Sequence, residues 1–437
     1  MTRTWRVAAV TAIALMHTTP TAAAIGPPPV DTLRLPTADP PAPAQPTVQF
    51  TDCVAAPPAA GSAPGQLAGM DLPTVWALTR GAGQTVAVID TGTARHRRLP
   101  HLVPGGDYVS HRDGTDDCDG HGTLVAGIIG ASPDAADPGG FTGIAPDVSL
   151  LSIRQSSNKF RAVDDPGGSG VGDVETLAAA VRTAADLGAT VINISTVACL
   201  PVAAGLDDRT LGAALSYAVE AKNVVVVTAA GNVGGPGQCQ DPNPRDVGAA
   251  HQVRTVASPA WYDDYVLTVG SVGTDGSPSD FSLAGPWVDV AATGEGVVSL
   301  AATGDGLADR SPSDAALTGT SYAVPVVSAV AALVRARFPE MTARQVMQRI
   351  EDTARPSSAE WDPVVGHGVV DALAAVSGPG SHPAALPAAP PVDAPAPAPA
   401  TAPRQGATAV RGALICVALT VCVALVSAVI ARSRRHG

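Results

Sequence analysis

The chain has 437 residues and a formal charge of −12 at neutral pH. An acidic chain repels phosphate, so nucleic acid is excluded as the expected partner. Length alone would allow about three domains, but Pro and Gly gather at the ends and in loops, so the folded part is shorter than the chain.

Arg3 and Arg6 precede an apolar run over residues 7–16, and Ala22-Ala23-Ala24 follow. Charged start, short apolar stretch and small residues predict a signal peptide over residues 1–24. The run is too short to cross a bilayer. Residues 25–66 are rich in Pro and Ala without a sustained period, which predicts an extended arm on the surface.

Residues 67–377 read as one α/β domain. Short β-branched runs at 85–89, 148–153, 191–195 and 224–228 predict buried strands, with further strands at 265–272 and 287–291. Helical patterns alternate with them at 121–130, 173–187 and 207–222. Asp173 is placed to cap its helix and Gly188 to stop it. A helix over 322–337 ends before Pro339, and Thr342 caps a last one with Val346, Met347 and Ile350 inward. Alternating strands and helices imply a mostly parallel sheet with helices on both faces. Sites in such folds form at the C-terminal ends of strands.

Residues 378–409 are a Pro/Ala-rich spacer. A transmembrane helix is expected over residues 410–431, because 413–431 run without a charge for the roughly 20 residues that span a bilayer. Arg432, Arg434 and Arg435 follow, so the tail 432–437 is expected in the cytoplasm and the domain outside. Cys416 and Cys422 fall in that anchor. Cys53, Cys118, Cys199 and Cys239 fall outside, where disulfides persist. If the strands before Cys199 and Cys239 are parallel neighbours, their ends meet. This favours Cys199–Cys239 and leaves Cys53–Cys118 to tie the arm to the body. The spacing matches no zinc pattern.

Chemistry gathers at the predicted strand ends. The first strand runs into Asp90-Thr91-Gly92. His121 stands between glycines at a helix start. The strand over 224–228 leads to Asn232, and Gly319-Thr320-Ser321 opens the apolar helix. Ser321 alone reads as a helix cap. With the others it reads as a nucleophile: His121 takes its proton, Asp90 holds the imidazole tautomer, and Asn232 with the Ser321 backbone N–H donates to the oxyanion. Asp113, Asp116, Asp117 and Asp119 form an acidic cluster without calcium-loop spacing and read as a solvated loop. His96, His101 and His111 show no metal pattern. No metal or cofactor is expected.

The order Asp, His, Asn, Ser and the local sequences resemble the subtilisin-like serine proteases. The matching blocks are Asp90-Thr91-Gly92, His121-Gly122-Thr123-x-Val125-Ala126-Gly127, Ala230-Gly231-Asn232 and Gly319-Thr320-Ser321-x-Ala323-x-Pro325. Tyr322 stands where many members have Met, and Val326 where many have His. The signal peptide, paired cysteines, spacer and anchor resemble the mycosins, as do Leu151-Ser152-Ile153-Arg154-Gln155 and the loop with Asn158 and Phe160. The resemblance implies a three-layer subtilisin-like fold, proteolysis of protein substrates outside the membrane, and support of a type VII secretion membrane complex. A mainly structural subunit is the alternative. The arm looks too short and too Pro-rich for a folded inhibitory prodomain. The Gly/Pro-rich insertions at 156–172 and 233–263 are expected near the active-site edge, shaping a cleft or a partner surface or serving as ordinary loops.

Overall fold

The computed structural model describes residues 25–378, apart from 56, 58, 60–64, 138–139, 236–237, 250–251 and 357–360. The stretches expected to be signal peptide, membrane-spanning helix and tail, and nearly all of the expected spacer, lie outside the described residues.

In chain order the strands are β1 (Thr47–Gln49), β2 (Thr85–Asp90), β3 (Leu102–Asp107), β4 (Ser149–Arg154), β5 (Phe160–Ala162), β6 (Val191–Ile194), β7 (Ala198–Pro201), β8 (Val225–Ala229), β9 (Thr255–Ser258), β10 (Leu267–Val272) and β11 (Val290–Thr293), followed by the short pair β12 (Ser299–Leu300) and β13 (Leu307–Ala308). The helices are α1 (Leu72–Trp76), α2 (His121–Gly130), α3 (Val174–Asp186), α4 (Arg209–Ser216), α5 (Thr320–Arg337), α6 (Ala343–Asp352) and α7 (Ala372–Val376).

Seven strands form one sheet in the order β11-β10-β8-β6-β2-β4-β3. Every pairing in it is parallel. Such strands are covered on both faces, which is why β6 and β8 are fully buried and rich in Val and Ile. The chain places β4 on one side of β2 and β6 on the other, so strand order reverses beside β2. Ligand sites of open parallel sheets sit at the carboxyl ends of strands at such a reversal.

Helix α5 is the axis of the core. Its residues from Thr320 to Val334 are all buried, as expected of a helix apolar on every side. It packs on α2 and on the strands from β2 to β11. Helices α3 and α4 form another packed pair. Asp173 caps α3 and Thr342 caps α6, each with a full capping box.

Several boundaries differ from the sequence reading. The strand expected at 287–291 begins at Val290. The helix expected over 207–222 leaves α geometry after Ser216 and closes with a π turn over Tyr217–Ala221. Strand β3 had no sequence signal because Pro104, Gly105 and Gly106 interrupt it. It is an edge strand with a register shift at those residues, where such residues are tolerated.

The arm lies on the body. β1 pairs antiparallel with β5, which comes from the 156–172 insertion. Cys53 is bonded to Cys118 and Cys199 to Cys239. The 233–263 insertion carries β9, which pairs antiparallel with β7. Asn243 holds that insertion, donating to Thr255 and Ala284 carbonyls at 2.9 and 2.7 Å.

Ile192, at the centre of β6, has no exposed surface. Ile192→Ala is expected to cost roughly 2–5 kcal/mol, the transfer term plus a cavity. Urea unfolding should show it as a lower midpoint at unchanged slope.

Candidate active site

Asp90 is the last residue of β2 and is fully buried. Its Oδ1 accepts the Thr91 N–H at 2.7 Å and faces His121 Nδ1 at 2.7 Å. His121 opens α2. Gly122, the next residue, is required by space: a Cβ there would fall 1.9 Å from the Gly92 carbonyl oxygen. The close approach presses the start of α2 against the turn after β2 and brings the imidazole over the carboxylate.

Asp117 locks that junction. It accepts the N–H groups of Gly120 and Thr123, both at 2.8 Å, and the hydroxyls of Thr123 at 2.6 Å and Thr91 at 2.8 Å. Thr91 Oγ1 accepts in turn from the Gly122 N–H at 3.0 Å. Asp117 therefore caps α2 and ties it to the residue beside Asp90. Enclosure by protein pushes its carboxyl up to about 6, against the pull of the two threonines.

Of the acidic cluster, Asp117 and Asp119 are thus tied into the fold, while Asp113 and Asp116 face solvent as the loop reading expects. Asp119 accepts from Ser157 Oγ and from the Asn158 N–H, both partners on the insertion that holds the arm. Asp113 accepts from Thr115 and pairs with Arg95. Asp116 pairs with Arg112. Among the described residues no group of three or more His, Cys, Asp or Glu could hold a metal ion.

His121 Nε2 lies 3.0 Å from Ser321 Oγ. A carboxylate can only accept, so Nδ1 carries the proton and Nε2 is left to accept from the hydroxyl. Burial is the largest influence on the imidazole and disfavours its charge. The Asp90 carboxylate outweighs it, with help from Asp117 and Asp119, and the net shift is upward from 6.5. Stability from this pair is fully present below the unfolded-state value and is lost as pH rises through the folded value.

Ser321 is not the cap of α5. The cap position is Gly319, and Thr320 and Ser321 lie inside the first turn. The Ser321 N–H is among the donors that a helix start leaves without an intrahelical acceptor. Asn232 follows β8. Its Oδ1 accepts the Thr320 N–H at 2.9 Å and the Thr320 hydroxyl at 3.0 Å. The backbone N–H must donate, so the facing atom is the oxygen and the amide orientation is fixed. Asn232 Nδ2 and Ser321 Oγ then lie 3.7 and 3.1 Å from the point a Cβ on Gly319 would occupy. One small space is bordered by hydroxyl and amide together.

A second set of residues had no sequence assignment beyond strand and helix. Pro325 is four residues after Ser321 and has no N–H, so the Ser321 carbonyl has no helical donor. Ser195 Oγ supplies one at 2.9 Å. Asn193 donates to Ser195 Oγ at 2.9 Å, and Ser328 donates to Asn193 Oδ1 at 2.9 Å. The readable signal was the proline at that spacing, together with two polar residues in the otherwise apolar 191–195 run.

The family model Peptidase S8, the subtilase family, matches residues 81–368. The chain belongs to the subtilase family. It is 61% identical over 387 residues to Mycosin-4 of Mycobacterium tuberculosis, covering 86% of this chain and 84% of that protein. It is 43% identical to Mycosin-3 of the same organism, over 82% of each chain. Among solved structures it matches the MycP3 protease from the type VII (ESX-3) secretion system with TM-score 0.74 and 44% identity, over 81% of this chain and all of that one. It also matches a chain of the periplasmic assembly from the ESX-5 inner membrane complex, with TM-score 0.74 and 41% identity, over 87% of this chain and all of that one. The subtilase is accordingly of mycosin type and a serine peptidase.

Two outcomes check this geometry. In NMR titration the His121 imidazole of the subtilase is expected to have its midpoint above 6.5, and Asp90→Asn is expected to lower it. Ser195→Ala leaves the Ser321 carbonyl buried without its donor and is expected to cost about 1–3 kcal/mol, read by thermal unfolding, where Ser195→Thr should recover part of the loss.

Proposed function

We propose that Asp90, His121 and Ser321 are the catalytic triad of an extracytoplasmic, membrane-anchored endopeptidase. The observation that supports this best is the single imidazole bridging carboxylate and hydroxyl at 2.7 and 3.0 Å. Ser321 Oγ attacks the scissile carbonyl while His121 Nε2 takes the hydroxyl proton. Asp90 holds the tautomer and stabilises the imidazolium. The oxyanion forms between Asn232 Nδ2 and the Ser321 N–H. His121 then gives its proton to the departing amine, and water repeats the sequence in reverse on the acyl-enzyme.

The anchoring part of the proposal rests on sequence: the signal-like start, the apolar run at 413–431 and the arginines after it. The secretion part rests on relatives. A chain 39% identical to this one belongs to the intact ESX-5 inner membrane complex. By that likeness the subtilase processes secreted proteins and serves beside a type VII secretion complex. The same likeness supports a second role, in which the folded domain stabilises the complex independently of cleavage. The arm in this reading is a permanent part of the enzyme, since β1 and Cys53 both join it to the body.

A serine-directed fluorophosphonate is expected to label the wild type and not Ser321→Ala; equal labelling of both would remove the triad. Asn232→Ala is expected to lower kcat by about 10²–10³ with little change in KM. Ser321→Ala expressed in a deletion strain separates the two roles: secretion restored by it assigns the supporting role, and secretion lost assigns proteolysis. Intact mass of active protein should still include the arm.

A further inference from the structure

An apolar cavity of about 200 Å³ adjoins the imidazole of His121. Its wall includes Leu124, Ala308, Leu317 and Tyr322, all buried. Sites for whole small molecules start at about 300 Å³, so this one suits a single side chain. Asp119 and Arg310 also border it. Asp119 already accepts from Ser157 and Asn158, and Arg310 pairs with Asp314, so both heads have partners outside the lining.

The arm supplies one further part of the wall. Val54 lines the cavity. It lies 3.7 Å from the point a Cβ on Gly120 would occupy. Its N–H donates to the Cys118 carbonyl at 2.8 Å, next to the Cys53–Cys118 bond. The Ala59 N–H donates to the Leu307 carbonyl at 2.8 Å, beside Ala308 of the cavity wall. The arm is thus fastened on both sides of the cavity, once near the start of α2 and once at β13.

Position relative to the reacting atoms sets what enters. In the tetrahedral intermediate the oxyanion points to Asn232 and the leaving nitrogen must lie within reach of His121 Nε2. The imidazole is part of the cavity wall. The cavity thus faces the leaving side of the scissile bond, and we infer that Val54 of the arm is a specificity-determining residue for the apolar side chain that enters there. The inference rests on the triad proposed above. An aliphatic chain of Leu size gains there by losing water, a difference worth a factor of ten or more against Gly.

Acyl-transfer partitioning tests it with the full-length, disulfide-bonded protein. Ser321 Oγ displaces p-nitrophenolate from an N-acyl amino acid p-nitrophenyl ester; the hydroxyl proton passes to His121 and on to the departing phenolate or solvent, which leaves the imidazole neutral. An added amino acid amide then attacks the acyl carbon, its amine proton passes to His121, and Ser321 Oγ leaves and is reprotonated. The products are the N-acyl dipeptide amide and free enzyme. Leucinamide is expected to capture the acyl group at least about tenfold better than glycinamide. Val54→Phe, which fills the cavity, should bring that ratio near one. Val54→Ala, which enlarges it, should shift capture from leucinamide toward phenylalaninamide by about tenfold. Equal capture of all three amides by wild type that still labels at Ser321 would overturn the cavity assignment alone. A leucinamide preference that neither Val54 variant alters would overturn the role of the arm. Loss of Ser321-dependent labelling would remove the triad and this inference with it.

Discussion

The short contact between Asp90 and His121 sets the terms for the rest of the site. A carboxylate at the buried end of a central strand is costly unless it is paired and hydrogen-bonded. The sheet supplies the position, because β2 flanks the reversal in strand order. Helix α2 supplies the partner, held in place by a glycine that must approach a carbonyl and by an aspartate that caps the helix. The chemistry of His121 is in that sense a property of the β2–α2 junction as a whole.

A different constraint governs Ser321. Pro325 takes a backbone donor out of α5 one turn after Ser321. The vacancy is answered by Ser195, just after β6, which Asn193 of β6 holds in turn with Ser328 of α5. These groups are buried, so each lost bond would leave a polar atom in a medium that cannot solvate it. The start of α5 is thereby registered to the sheet by hydrogen bonds as well as by packing. Asn232 adds a third tie, through Thr320.

Much of this was readable in the residues. The parallel sheet followed from β-branched runs alternating with amphipathic helices, and Asp90, His121, Asn232 and Ser321 announced themselves by standing at the ends of those runs. The disulfide pairing was readable because parallel neighbours share an end. Other features depend on tertiary context. β3 is built of Pro and Gly and exists because β4 offers an edge to pair with. β5 and the arm strand β1 hold each other, and neither stretch predicts a strand by itself. Asp117 looked like one acid among four. Only the folded chain brings Thr91, Gly120 and Thr123 around it.

The Cys53–Cys118 bond also decides what a cut in the arm would do. Val54, the residue after Cys53, lines the His121 cavity. Cleavage after Cys53 would give a new N-terminus but would release no peptide, since everything before the cut would remain covalently held through the sulfur bridge. Such a molecule would run as one species without reductant and as two with it. Outside the cytoplasm, where the bond persists, the nicked and intact enzymes would keep the same set of atoms around the active site.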